Sequence, residues 1–354
     1  MSLLSEISNR DMKLFRDYLN TDVRSSQCTC DVKLVADFTE YNPLHNGHYH
    51  CMKVARSKVN DALFVAVVPG LFERSGRGIP YILPREKRAE IAVSLGADVV
   101  VEGPPMGLMG SGQYSLCLCK MFKALNTDFI PRGYNPFPGF EEILKRINMG
   151  HHVAPKPYKI VDKTTGAVLL KDKLKEDNYV ITSFSNSLSK IGFDYAGKFI
   201  FVERIGGVSG TKIREAVMSG EFDSVRSMMP QKTIDVLTSD KDSIIFGKRL
   251  EKNIIDNANN LNLSELNLLN EKLASEIELK RPFDDLESVL KAIPQGFSTH
   301  FRERILSILE NPISKKDMST FIDRYPSQIR VLKYKNSDAL EVFKEKVNTE
   351  NVSQ

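Results

Sequence analysis

Glu40-Tyr41-Asn42-Pro43-Leu44-His45-Asn46-Gly47-His48 stands between a strand-like run and a helix-forming segment. The run before it, VKLVADF (32–38), is rich in β-branched and aromatic residues, as a strand buried on both faces would be. A turn at the carboxyl end of such a strand lies where an open α/β sheet forms its ligand crevice. Asn42-Pro43 bends the chain, and Gly47 has no side chain to hold an anion away from the amides at the helix start. His45 and His48, three apart across the turn, can both donate to one anion. The stretch reads as a phosphate cradle.

Working outward, ALFVAVV (62–68), ADVVVE (97–102), TDFI (127–130) and KFIFVE (198–203) repeat the buried-strand pattern. Segments 47–59, 84–95 and 113–126 between them suit helices. That alternation predicts a doubly wound, mostly parallel, Rossmann-like α/β sheet. The expected organisation is an N-terminal helical extension (1–30) and a nucleotide-binding domain (31–238) carrying an insertion (132–197), followed by an all-α C-terminal domain (239–354). The insertion contains a hairpin around Thr164-Thr165-Gly166. In the C-terminal part the strand signal disappears, and helical spacing appears at Leu266, Leu269, Leu273 and Ile277 behind Ser264 as N-cap.

A second anion-ready turn is VSGTKIRE (208–215), again after a strand and opening a helix expected to run from Ser209 to Met229. Ser209 caps, Gly210 admits a ligand, and the amides of Gly210 and Thr211 lie at the positive end of the helix dipole. Lys212 and Arg214 supply cations for the far end of a polyphosphate. Two such turns on one βα pattern point to a nucleoside triphosphate between them.

Composition narrows the function classes. With 354 residues, 42% hydrophobic and 27% charged, the chain has the make-up of a folded protein of two domains. Its net charge of +4 arises entirely in residues 1–240, enough for an anionic ligand and too little for a surface that wraps DNA; RNA stays open. The absence of a long apolar run, with Arg10, Asp11, Lys13, Arg16 and Asp17 near the start, leads us to expect a cytoplasmic protein without membrane contact. Five cysteines, an odd number, read as reduced thiols. The pairs Cys28/Cys30 and Cys117/Cys119 read as buried or idle rather than metal-binding, and His151-His152 as an exposed loop pair.

The signatures EYNPLHNGH, PGLFERSGRG (69–78), PREKRAEIAVSLGADVVVE (84–102), SGQYS (111–115) and SGTKIR resemble the HIGH-motif nucleotidyltransferase superfamily. Within it the chain is most similar to bacterial tRNA(Met) cytidine acetate ligases and archaeal cytidylyltransferase-related proteins. It departs from the acetate ligases at Glu102-Gly103-Pro104, in the form of the late SGTKIR motif, across 132–197 and in the C-terminal helices. The resemblance implies that His45 and His48 contact the triphosphate, and that Ser209, Gly210, Thr211 and Arg214 hold it from the other side. It also sets Glu40, Tyr41, Asn42 and Gly47 on the nucleotide side. Phe72, Arg74, Arg77 and Gly78 would form a loop closing over the reactants, with the arginines on a carboxylate, a phosphate or tRNA; a solvated loop is the alternative. Glu40 is expected to bond a histidine, to organise Mg²⁺ or to satisfy local amides, and Glu102 with Arg88 reads equally as a structural ion pair.

The function expected is an ATP-dependent enzyme that forms an adenylate with a small acceptor, acetate in the relatives it resembles, for modification of the tRNA(Met) wobble cytidine. Mg²⁺ is the expected counterion. One alternative is an enzyme that joins CMP or AMP, from CTP or ATP, to a phosphorylated small molecule. The other is a non-catalytic nucleotide- or RNA-binding module.

Overall fold

The computed structural model describes residues 2–21, 30–172, 174, 176–347 and 352–353, so Cys28 and Thr29 lie outside the described residues. In chain order the elements begin with α1 (Leu3–Asn20), β1 (Leu34–Phe38), α2 (Asn46–Lys58), β2 (Leu63–Pro69), α3 (Arg85–Ser94), β3 (Val99–Gly103), α4 (Ser111–Ala124) and β4 (Ile130–Tyr134). The insertion holds α5 (Phe140–Asn148), β5 (Val153–Lys156), β6 (Lys159–Asp162), β7 (Val168–Leu170) and α6 (Glu176–Lys190). After it come β8 (Phe199–Glu203), α7 (Gly210–Ser219), α8 (Gln231–Ser239), α9 (Glu251–Asn260), α10 (Glu271–Glu278), α11 (Leu286–Ala292) and α12 (Thr299–Glu310). The chain closes with α13 (Lys315–Arg324), β9 (Ile329–Tyr334), α14 (Ser337–Lys346) and β10 (Val352–Ser353).

β1, β2 and β3 pair in parallel and are buried along their whole length, which is why they read as continuous apolar runs. β4 lies beside β1 through the bridge Val35 to Phe129 and the bond from Ala36 N–H to Phe129 O (2.9 Å), and pairs in parallel with β8. The strand order therefore reverses between β1 and β4. A crevice opens at the carboxyl ends of strands that diverge in this way. One core packs on each face of the sheet: Leu34, Ala36 and Phe38 point into one, and Val35, Phe64 and Ala66 into the other.

Several expectations need correction. The helix expected behind Ser264 starts later, with Asn270 capping α10 at Glu271, so Leu266 and Leu269 precede it. The strand expected at 127–130 runs from Ile130 to Tyr134; Pro131 and Gly133, both poor strand formers, hid it, and pairing with β8 overrides their propensity. α1 is no appendage: Phe15 stacks on Phe321 (4.9 Å between centroids) and Tyr18 is buried beside them. The helix begun at Ser209 ends at Ser219, because Gly220 takes a left-handed conformation (φ +79°); a short 3₁₀ segment, Phe222–Met228, follows. The C-terminal region is helical through α13 and then returns β9, antiparallel, to the edge of β3. Only Ile329 and Val331 of β9 are buried, so its apolar signal is too short to stand out.

Two sets of buried ions lock these parts together. Arg85 forks onto Asp11 of α1 (2.6 and 2.8 Å) and also meets Glu73 (3.2 Å) and Glu102 of β3 (2.6 Å). Arg88 pairs with Glu73 (2.9 Å) and Arg330 of β9 with Glu102 (3.3 Å), so the expected pair of Glu102 with Arg88 is not formed. Three carboxylates thus face three guanidiniums, a balance that buried charge requires. In the second set Arg74 and Arg249 share Glu310 of α12 (2.5 and 3.0 Å). Gly78, at φ +81°, lies so close to α12 that a methyl group there would overlap the backbone of Glu303 and Arg304.

Arg85→Met removes the forked partner of Asp11 and one of the two cations on each of Glu73 and Glu102, so we expect a loss of about 3–5 kcal/mol in urea unfolding; a loss below about 1 kcal/mol would contradict the network's role. Gly78→Ala is expected to lower stability by at least about 2 kcal/mol, read as a fall in melting temperature.

Candidate functional site

The loop after β1 is fixed from several sides. Asn42 Oδ1 accepts from Ile82 N–H (2.7 Å), Thr233 Oγ1 donates to Leu44 O (2.9 Å), and Asn46 Nδ2 donates to Ser227 O (2.9 Å). His45 then caps α2. Its Nδ1 accepts from His48 N–H and its own N–H donates to His48 Nδ1, each at 3.4 Å, and the rings stack at 3.7 Å. Because each Nδ1 is an acceptor, each neutral ring carries its proton on Nε2. Burial holds His45 down to about 4, helped by Arg204; burial, His45 and the arginines 204, 132 and 214 hold His48 well below the ordinary histidine range. At neutral pH the pair offers two uncharged N–H donors.

α7 begins beside this pair. Ser209 Oγ accepts from Lys212 N–H (3.3 Å), the expected cap. A methyl on Gly210 would sit 3.5 Å from His45 Nε2 and 3.2 Å from Arg214 Nη1; one on Gly47 would sit 3.1 Å from the His45 ring and 4.0 Å from Val208 Cγ1. Both glycines therefore border the same imidazole, one from each turn. Arg214 Nη1 donates to Asn42 O (3.0 Å) and Nη2 to Thr211 Oγ1 (3.0 Å), which joins the α7 terminus to the first signature. His45, His48, Gly47, Ser209, Gly210, Thr211 and Arg214 thus come together. Lys212 does not join them; it lines a shallow groove with Glu215, Ala216 and Ser219, the neighbouring face of the helix.

The remaining members of the signatures are structural. Tyr41 is buried with its ring edge-on to His48 (5.4 Å), and Asn42 spends its side chain on Ile82, so neither presents a side chain to a ligand. Glu40 takes the third of its expected roles: Oε1 accepts from Gly76 N–H (2.7 Å), and burial pushes its carboxyl upward. The 72–78 loop is no lid. Phe72 is buried against Phe15, Arg74 is buried on Glu310, and Gly78 abuts α12; Arg77 is half-buried and acts electrostatically on Glu40. The signal that misleads is the Gly/Arg composition of the loop, which reads as solvated until α12 covers it.

Two arginines were missed. Arg132 on β4 and Arg204 just past β8 both depress His48, and Arg204 lies over Gly133. Arg204 follows the carboxyl end of β8, on the side of the sheet where ligands are expected, and that is the signal that would have found it; Arg132, mid-strand in β4, gave none. His151 is held by Asp162 (2.8 Å) and His152 by Asn186 (2.9 Å), so they are structural rather than a free loop pair. Cys117 and Cys119 are buried free thiols, and no group of three or more metal-ligating side chains occurs among the described residues. Nor is any described helix long and apolar enough to cross a membrane.

Comparison with known proteins identifies the family. Residues 32–115 match the model for HIGH nucleotidyl transferases, and residues 135–333 that for the cytidyltransferase-related C-terminal region. A protein of Methanocaldococcus jannaschii described as uncharacterised is 44% identical over 340 residues, 94% of each chain. The tRNA(Met) cytidine acetate ligase of Fervidobacterium nodosum is 25% identical over 244 residues; the match covers 58% of this chain and about half, 54%, of that one. The crystal structure of Thermotoga maritima TmcAL bound with alpha-thio ATP has a TM-score of 0.72 at 20% identity, over 89% of this chain and 84% of that one, a likeness of fold. With more than half of its length matched by one family model and its first signature by the other, the chain belongs to the cytidyltransferase-related HIGH nucleotidyltransferases.

Proposed function

We propose that the chain is an ATP-dependent enzyme that joins AMP to a small carboxylic acid and passes the acyl group to tRNA. The observation that carries this reading is the meeting of two uncharged imidazole donors with the amino end of α7 across Gly47 and Gly210. The ligase name of the Fervidobacterium relative supports acetate as the acid and tRNA as the final acceptor, and the TmcAL complex supports ATP as the nucleotide.

In the reaction a carboxylate oxygen bonds to the α-phosphorus of ATP while the bond from that phosphorus to the bridging oxygen breaks, and pyrophosphate leaves with the electron pair. Charge grows on the non-bridging and leaving oxygens. His45 and His48 donate from Nε2 without desolvating a charge of their own, the Gly210 and Thr211 amides add the helix dipole, and Arg214 neutralises the leaving group. No protein nucleophile is needed, so positioning and electrostatics carry the catalysis. Mg²⁺ carried on the triphosphate would supply further countercharge to the phosphate oxygens.

Pyrophosphate exchange tests the reading. ATP with acetate should support exchange in the intact chain. His45→Asn, which keeps a capping oxygen, and Arg214→Gln should each lower it by about 100-fold or more while melting temperatures stay close to that of the parent. Exchange that requires CTP and a phosphorylated acceptor would favour the other transferase reaction, and nucleotide binding without exchange a binding module.

The buried histidine also sets a pH signature. His45 titrates lower in the folded chain (about 4) than unfolded, so the unfolded state takes the proton first. Its contribution is full above the ordinary histidine value of about 6.5 and is lost as pH falls through about 4. We expect stability to fall over that interval, and to fall by about 1–3 kcal/mol less in His45→Asn.

A further inference from the structure

Arg132 is a guanidinium for which the triphosphate has no evident need. Its Nη1 donates to Phe38 O (2.6 Å), and its guanidinium lies 5.6 Å from the Phe38 ring and 5.3 Å from that of Phe184, both buried. Nε is buried without a hydrogen-bond partner among the described residues. With Nη1 turned to the carbonyl, the remaining edge is Nε with Nη2, the side-on fork that fits the two oxygens of a carboxylate. The aromatic backing keeps this edge in a poorly hydrated setting, where a charged hydrogen bond is stronger than in water. Asp37, the acid that acts on Arg132, is pushed up to about 7 by burial and so only partly offsets it. Arg204, whose side chain crosses Gly133 next to Arg132, adds a second cation.

We propose that the Nε/Nη2 edge of Arg132 binds the carboxylate of the acid to be activated, with Phe38 and Phe184 backing the guanidinium. This deepens the adenylate reading and rests on it for the identity of the reaction. Arg132 holds both carboxylate oxygens through the fork, and a remaining lone pair of one of them is turned toward the α-phosphorus bound at the histidines. The ligand class is a small monocarboxylate. The fork itself matches the oxygens of a carboxylate or a phosphate, so the choice of a monocarboxylate comes from the adenylate reading.

The test uses the full chain saturated with α,β-methylene-ATP, titrated with acetate, propionate and inorganic phosphate by saturation-transfer NMR. Acetate or propionate should bind the parent. Arg132→Met should weaken that binding by about tenfold or more, and Arg132→Lys, which keeps the charge and loses the fork, by less. Affinity for the nucleotide analogue should stay within about twofold in both variants, which also shows that they fold. Unchanged acid binding in Arg132→Met, a parallel loss of analogue affinity, tighter binding of phosphate than of acid, or no acid binding by the parent would each overturn the proposal. Acid binding that depends on Arg132 without pyrophosphate exchange would uphold the subsite and reject adenylate formation.

Discussion

Arg85 is the group on which the arrangement turns. Its buried guanidinium binds carboxylates from α1, from the segment after β2 and from β3, while Arg330 brings β9 to the same Glu102. A charge at that depth persists only when paired, and the pairing draws together elements that are distant in sequence. The N-terminal helix and the C-terminal strand are consequently parts of the nucleotide-binding fold rather than attachments to it.

The same network reaches the site. Arg88, which pairs with Glu73, also donates to Glu40 O (2.7 Å), and Glu40 in turn holds Gly76. The loop that bears His45 and His48 is thereby braced from behind, while Thr233, Ser227 and Arg214 brace it from the side of α7 and α8. Preorganised donors need no rearrangement when charge develops on a substrate, which is the condition for electrostatic catalysis. The neutral state of the histidines has a related origin: burial disfavours an imidazolium, and the neighbouring arginines oppose a further positive charge.

Local chemistry made much of this legible. The strands β1 to β3 announce themselves by unbroken apolar runs and the cap at Ser209 by its residue type, whereas the cap at His45 emerges only in the structure. What could not be read was pairing across long separations. Arg74 looks like a loop arginine until Glu310, 236 residues later, is placed against it. Lys212 looks like a partner of Arg214 until the helix turns it to another face. Arg132 was hidden inside a strand that Pro131 and Gly133 disguise. For Arg74 and Arg132 the deciding contact is tertiary, and composition carries no trace of it; for Lys212 it is the helical period alone.

The central claim is that a triphosphate lies between the two turns, and calorimetric titration of Gly210→Ala with ATP tests it most directly. The added methyl sits 3.5 Å from His45 Nε2 and stands in the proposed path of the phosphates, whereas one at Gly112 meets nothing within 4 Å. ATP affinity is expected to fall by about tenfold or more in Gly210→Ala and to hold in Gly112→Ala. Equal affinity in the two variants would contradict it.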